Sequence, residues 1–265
     1  MEDDHERPHV VIDIGSSYMK CGLSGEAGPR GVIRSCVSYP KYPAFNDDSR
    51  AFYIGEDAEP IEGILNFNYP INHGIIENVE DVEKIFGQIY TNELRVDPLE
   101  HNVFVTDPYD SKENRKKLAE IFFESFYVKG LYISDTGTLQ LMSCGKKSGI
   151  SVDLGGGLIS FSPLIECRVI KGCSIKYNFG GNELTEFLYH LHKKVDVYKF
   201  LIDKLEKKYT NILTAIDGPI IEKMKEVVCY CALDFEKELK EVQNLDYELP
   251  DGTNIITKKE RIICP

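Results

Sequence analysis

The sequence predicts an α/β protein of two lobes built around a duplicated β-hairpin, and three observations lead there. The first is a near-repeat. Val10-Val11-Ile12-Asp13-Ile14-Gly15-Ser16-Ser17 and Ile150-Ser151-Val152-Asp153-Leu154-Gly155-Gly156-Gly157 share an apolar run, a central aspartate and a turn of glycine and serine. The second is that apolar β-formers resume after each turn, over 18–23 and 158–165. Each copy therefore reads as strand, tight turn, strand, with backbone N–H groups exposed at its tip. The third is that strand and helix patterns alternate between the copies, which is α/β organisation. Two such hairpins imply two lobes of similar build, here 1–148 and 149–265.

The elements follow in order. Residues 79–93 are helical by period, since Val79, Val82, Ile85, Phe86 and Ile89 recur at steps of three and four behind Asn78 in N-cap position. A second helix is expected over 110–126. There Asp110 and Glu113 form a capping-box pattern and Leu118, Ile121, Phe122 and Phe126 the apolar stripe. Apolar runs at 103–106 and 131–134 supply strands. Beyond the second hairpin the period turns helical over 184–208 and again over 220–242, where Met224, Val227, Val228, Cys231, Phe235, Leu239 and Val242 share a face. Asp251-Gly252 marks a hairpin turn between 247–249 and 254–257. Ile262 and Ile263 read as strand residues without an obvious neighbour. Residues 41–51 are polar and aperiodic, an exposed loop.

Composition narrows the functional classes. With 42% hydrophobic and 11% aromatic residues the chain can bury a full core. Its 31 basic against 43 acidic residues leave a net charge of −12, which argues against an electrostatic hold on nucleic acid or anionic lipid and favours protein partners. No run approaches the ~18 apolar residues of a membrane span, and residues 1–8 are acidic without an apolar stretch, so a soluble intracellular protein is expected. Eight cysteines lack any CxxC pair and read as reduced thiols. Cys229 and Cys231 stand two apart in a helical pattern and His190 and His192 do likewise, spacings that do not share a helix face and make poor metal pairs.

Glycine tips lined with N–H donors suit polyanionic phosphate, because the backbone can approach without a Cβ in the way. Ser16 and Ser17 add hydroxyls and Lys20 a positive charge. Asp13 and Asp153 would repel a bare phosphate. A divalent cation resolves this, since Mg2+ takes hard oxygen ligands and keeps waters between itself and a carboxylate. The constellation reads as a Mg-nucleotide clamp, against the plainer alternative of two ordinary turns.

The segments IDIGSSYMKCGLSGEAGPR (12–30), YPINHGIIENVEDVEKI (69–85), NELRVDPLEHN (92–102), CYCALDFE (229–236) and YELPDG (247–252) resemble actin and its relatives, in order and over nearly the whole chain. The resemblance implies the actin and Hsp70-like ATPase fold (ribonuclease H-like), two lobes with ATP or ADP and Mg2+ between them. It implies Asp13 and Asp153 at the metal and its waters, and Gly15, Ser16, Ser17 and Lys20 at the phosphates. Gly155, Gly156 and Gly157 fall at the second phosphate loop, and Gly181, Lys225 and Glu226 at the ribose and adenine. His73 falls in a loop near the cleft, where packing is the expected role.

Departures from the family pattern point elsewhere. Thr136 stands where the family orients the attacking water with glutamine, and Ser160 where it has histidine. Neither matches the reach or proton chemistry of the residue it replaces. Ser17 replaces a glycine at a position where φ is expected to be positive. Residues 41–52 lack the apolar character of the family's subunit-binding loop, and 193–209 carry a lysine-rich, amphipathic helical insertion. Relative to the family, the C-terminal third of the pattern is missing after Pro265. The expectation is a structural or scaffold subunit of a protein hetero-complex, with actin itself among its partners, binding ATP/ADP-Mg weakly or not at all and without efficient hydrolysis. The expected place is the cytoplasm and its cytoskeleton, with the nucleus second. The alternatives are a filament-forming actin-like ATPase and, from another class, a sugar or acetate kinase sharing the phosphate hairpins.

Overall fold

Parallel pairing of strands far apart in sequence organises the first part of the chain. In the computed structural model, which describes residues 7–41, 50–109, 111–170, 172–193, 217–249, 252 and 254–265, the chain forms two compact units, Met1–Gly180 and Gly181–Pro265. The boundary expected after residue 148 falls inside the first unit. Residues 42–49 of the expected loop, and the expected insertion from 194 onward, lie outside the described residues.

The first unit begins with β1 (Val10–Asp13), β2 (Tyr18–Leu23) and β3 (Gly31–Arg34), an antiparallel meander. β9 (Asn102–Asp107) joins β1 in parallel, Val10 opposite Val103, and β10 (Gly130–Asp135) joins β9 the same way. The sheet order is β10-β9-β1-β2-β3. Alternate residues of β1 face the core, so Val10 and Ile12 are fully buried.

Against this sheet lie α1 (Val79–Gln88) and α2 (Lys112–Glu120). Asn78 caps α1 as expected, accepting from Asp81 N at 3.1 Å. The cap of α2 is Ser111, which accepts from Asn114 N at 2.9 Å, rather than an Asp110 capping box; Asp110 lies outside the described residues. Both helices then widen by a residue per turn, over Ile89–Leu94 and Ile121–Ser125. An aromatic contact joins the two helices at and beside these turns. Phe86 stacks on Phe122 with centroids 4.8 Å apart, and Tyr90 on Phe126 at 5.2 Å.

A small sheet, β5 (Tyr53–Ile54), β4 (Val37–Pro40) and β6 (Leu65–Asn68), is tied to α1 through one carboxylate. Asp81, almost wholly buried, accepts from Lys84 Nζ (2.8 Å), Asn78 Nδ2 (3.1 Å), Tyr39 Oη and Asn68 Nδ2. Burial alone would raise its pKa, but the donors, Lys84 foremost, outweigh burial and hold the carboxyl below its ordinary value.

The second sheet of this unit contains β11 (Gly149–Leu154), β12 (Ile159–Ile165), β13 (Arg168–Val169) and β14 (Ile175–Tyr177), all pairs antiparallel. The helix α3 (Thr136–Ser143) packs on it so closely that a Cβ on Gly137 would lie 2.9 Å from Ser162 Cβ. The outward alternation leaves Ile150, Val152, Leu154, Ile175 and Tyr177 exposed.

In the second unit, α4 (Gly181–Lys193) and α5 (Asp217–Val228) enclose a core of Leu188, Tyr189, Ile221, Met224, Val228 and Cys264. The helix expected over 220–242 breaks after Val228 and resumes only as α6 (Phe235–Glu241), capped by Asp234. The cap supplies the reason for the break: Asp234 accepts from Lys237 N at 3.1 Å and starts a new helix. The expected common face therefore does not form, and Val227, Cys231 and Phe235 are exposed. The hairpin expected at Asp251-Gly252 is present as β15 (Leu245–Glu248) and β16 (Asn254–Thr257). Ile262 and Ile263 belong not to a strand but to a helical turn, α7 (Glu260–Ile263), and Ile262 is buried.

Because the Asp81 carboxyl titrates lower in the folded chain than in the unfolded one, its stabilisation is full above the unfolded value and is lost as pH falls through the folded one. Asp81→Ala leaves Tyr39 and Asn68 without this acceptor and Lys84 with Tyr39 Oη alone, and is expected to cost about 3 kcal/mol at neutral pH, the low end for a broken buried pair. Urea unfolding at neutral pH and near pH 3 is the check. The difference between variant and wild type should shrink in acid.

Candidate functional site where two hairpin tips meet

The site grows from the carboxyl ends of β1, β9 and β10. Each strand closes on an aspartate: Asp13, Asp107 and Asp135. Ligands of parallel sheets bind at this edge. Each carboxylate is engaged differently. Asp13 accepts from Thr106 Oγ1 at 2.9 Å and from its cross-strand partner Lys20 at 3.1 Å. The Thr106 hydroxyl in turn accepts from Ile14 N at 2.7 Å, fixing where the first turn leaves the sheet. Asp107, fully buried, accepts from Asn114 Nδ2 at 3.2 Å and faces Arg115 Nε at 3.6 Å. Asp135 caps α3, accepting from Thr138 N at 3.0 Å.

The first tip is held by Ser35, whose hydroxyl donates to Gly15 O at 2.7 Å and whose N–H donates to Ser17 O at 2.8 Å. A Cβ on Gly15 would meet Tyr18 O at 2.5 Å, so no other residue fits this reversal. Ser17, where the sequence suggested a positive φ, lies outside the left-handed region; strain at that substitution is not a feature of the fold. The second tip is closed by Gly155 N donating to Leu158 O at 2.9 Å.

The two tips touch. A Cβ on Gly157 would lie 2.9 Å from Ser16 Cβ. Between them enters a third hairpin, β7 (Ile71–Asn72) and β8 (Ile75–Ile76), whose two-residue turn has positive φ at both His73 (48°) and Gly74 (76°). Gly74 N donates to Ser16 Oγ at 2.9 Å, and His73 Nδ1 lies 2.6 Å from Gly157 O. Buried Asn114 anchors this hairpin from below, donating to Gly74 O at 2.7 Å and accepting from Ile76 N at 3.1 Å. His73 thus does more than pack: it bridges the third hairpin to the second tip.

Gly15, Ser16, Ser17, Lys20, Asp13, Asp153 and Gly155 to Gly157 all belong to the first unit. Asp153 stands opposite Ser160 across β11 and β12. Gly181, Lys225 and Glu226 belong to the second unit. There Lys225 Nζ donates to Gly181 O at 2.7 Å and to Thr185 Oγ1 at 2.8 Å, while Glu226 is exposed.

The residues fit a Mg2+-phosphate group rather than a bare metal. Among the described residues no three His, Cys, Asp or Glu side chains cluster as a protein-built cage. The donor set is two aspartates, a lysine beside one of them and two glycine tips, which suits an ion that keeps its waters and shares phosphate oxygens. Thr136 Oγ1 is buried without a hydrogen-bond partner, and Ser160 is buried.

Sequence reasoning passed over Thr106, Asp107, Asn114 and Asp135. The signal was present, since each of three apolar runs, VVID, VFVTD and LYISD, ends on aspartate.

A mixed five-stranded sheet and a second antiparallel sheet, each carrying an Asp-Gly hairpin and joined tip to tip, define an α/β protein with an actin-like fold. The family model for actin matches residues 4–265. The chain belongs to the actin family.

Gly180 tests the second tip, because a Cβ there would lie 2.6 Å from Gly156 O and closer still to Gly155 O. Only backbone can move to relieve this. Gly180→Ala is expected to lower stability by about 1–3 kcal/mol, the usual cost of overpacking. Gly28→Ala, whose Cβ meets nothing within 4 Å, should stay within about 0.5 kcal/mol of wild type. Thermal unfolding of the two variants side by side gives the comparison.

Proposed function

We propose that this actin-family chain acts as a structural subunit of a protein hetero-complex, binding ATP or ADP with Mg2+ weakly or not at all and not hydrolysing ATP efficiently. The pair Thr136 and Ser160 carries this reading. A bound nucleotide is activated for hydrolysis mainly by positioning a water, and that needs a side chain able to hold the water in line. Thr136 has a short side chain whose hydroxyl is buried, and Ser160 is a buried hydroxyl on the strand facing Asp153. Neither supplies a carboxamide or an imidazole.

The expected partners are proteins, including actin itself, and the expected place is the cytoplasm. The net charge of −12 supports protein rather than nucleic-acid or anionic-lipid contacts. Among the described residues no helix is long and apolar enough to cross a membrane. The exposed apolar side chains of β11 and β14, Ile150 at 68%, Val152 at 54% and Leu154 at 73% among them, support a role in which a sheet face is covered by another subunit.

The second reading, a filament-forming ATPase, draws its support from the contact between the tips, which holds the two glycine turns together. Single-turnover phosphate release separates the two. Hydrolysis is expected to be absent or far slower than in actin and to rise in the double variant Thr136→Gln, Ser160→His; release at an actin-like rate by the wild type would sink the proposal. Sedimentation under polymerising salt with Mg2+ and ATP addresses assembly. A soluble particle stabilised by a co-expressed partner is expected, and helical filaments with a critical concentration like actin's would overturn it.

A further inference from the structure

Two cysteines that stand far apart in the sequence meet in the second unit. Cys229 directly follows α5, its N–H donating to Lys225 O at 3.0 Å. Cys264 directly follows α7, its N–H donating to Glu260 O at 3.0 Å. Two bonds lash these helix ends together: Tyr230 N donates to Arg261 O at 3.1 Å, and Arg261 Nε to Val228 O at 2.8 Å. Cys229 and Cys264 consequently belong to one packed cluster, near enough for each thiol to shift the pKa of the other. They differ in every other respect. Cys264 is buried in the core of the unit, 3% exposed, with its Sγ also 3.4 Å from Leu184 O. Cys229 lies at the rim of that core and is partly open to solvent.

We propose that Cys229 and Cys264 form a reversible dithiol site, Cys229 being the residue attacked by a hydroperoxide and Cys264 the resolving thiol that closes a disulfide. The environment divides the roles. Hydrogen bonding from Cys264 and the positive charges of Lys225 and Arg261 lower the pKa of Cys229, while the proximity of Cys229 and burial raise that of Cys264. Of the two sulfurs, Cys229 is therefore the one that ionises more readily. A partly exposed thiolate beside cations is the reactive form.

The steps balance. The Cys229 thiolate attacks one peroxide oxygen, the S–O bond forms, the O–O bond breaks, and the departing hydroxide takes up a proton as water. Cys264 sulfur then attacks the sulfenic sulfur of Cys229, the S–S bond forms, the S–O bond breaks, and the hydroxyl leaves with the Cys264 proton as a second water. Two thiols are oxidised and one peroxide is reduced. A small-molecule dithiol reverses the result by exchange. The bridge would tie the end of α5 to the end of α7 across the β15–β16 hairpin. It would also remove the anionic sulfur from the side of Lys225.

The full chain, treated with hydrogen peroxide under native conditions and digested without reductant, is expected to yield a linked peptide pair containing Cys229 and Cys264. That pair should lose two hydrogens relative to the thiols and revert on adding dithiothreitol. Exposed Cys144, Cys173 and Cys231 serve as internal competitors. In Cys264→Ser the sulfenic acid at Cys229 should persist and be trapped by dimedone, whereas Cys229→Ser should leave Cys264 unlabelled. Mapping the wild type needs no variant to fold, so the test stands even if a serine in the core is not tolerated. Oxidation confined to the three exposed cysteines, or dimedone labelling of Cys264 before Cys229, would overturn the proposal.

Discussion

The approach of Gly157 to Ser16 fixes where three separate pieces of chain must be. Because a Cβ at 157 would come within 2.9 Å of the serine, the two hairpin tips can close only as far as hydrogen atoms allow. That closeness brings the His73–Gly74 turn into bonding range of both tips. The rest of the first unit follows from holding these reversals still. Thr106 and Ser35 hold the first tip, the α3 contact positions the sheet that bears the second, and Asn114 holds the third hairpin. Polar groups buried in this way confer geometry only when they are paired, and Thr106, Ser35 and Asn114 each find partners in neighbouring segments of chain.

The same arrangement separates two properties that are usually discussed together. Shape for a phosphate comes from backbone and glycine, which the chain retains. Chemistry on a phosphate needs side chains that reach over it, and positions 136 and 160 carry short hydroxyls. The contacts that hold the tips involve backbone and small side chains of the fold itself, so they contribute to folding independently of the residues at 136 and 160. The Lys20–Asp13 pair illustrates this: it neutralises charge within the first hairpin itself.

Much of this was legible in the sequence, because strands and tight turns announce themselves locally. The near-repeat gave both hairpins, Asn78 gave the start of α1, and the actin-like segments gave the family. What escaped was decided by competition or by distance. The periodic face over 220–242 ignored Asp234, whose side chain caps a new helix, and Ser111 rather than Asp110 holds α2. Ile262 and Ile263 looked like a strand because two isoleucines suit one, yet neighbouring chain placed them in a helical turn. Asp107 and Asn114 matter only once β9 lies beside β1, and no local pattern states that pairing. Nor does spacing along the sequence bring Cys229 to Cys264.

The parallel neighbour of β1 is β9, so Val10 waits for Val103. On a ribosome the chain emerges from its amino end at a pace of about 5–20 residues per second, and β1, β2 and β3 are available several seconds before their central partner. During that interval the side of β1 that will carry β9 is an open edge bearing Val10 and Ile12, both destined for complete burial. Open apolar edges are where nascent chains find the wrong strand. High contact order of this kind makes the sheet slow to close. The topology that brings the two hairpin tips together thus leaves one edge of the first hundred residues unpaired until the hundred-and-seventh is made.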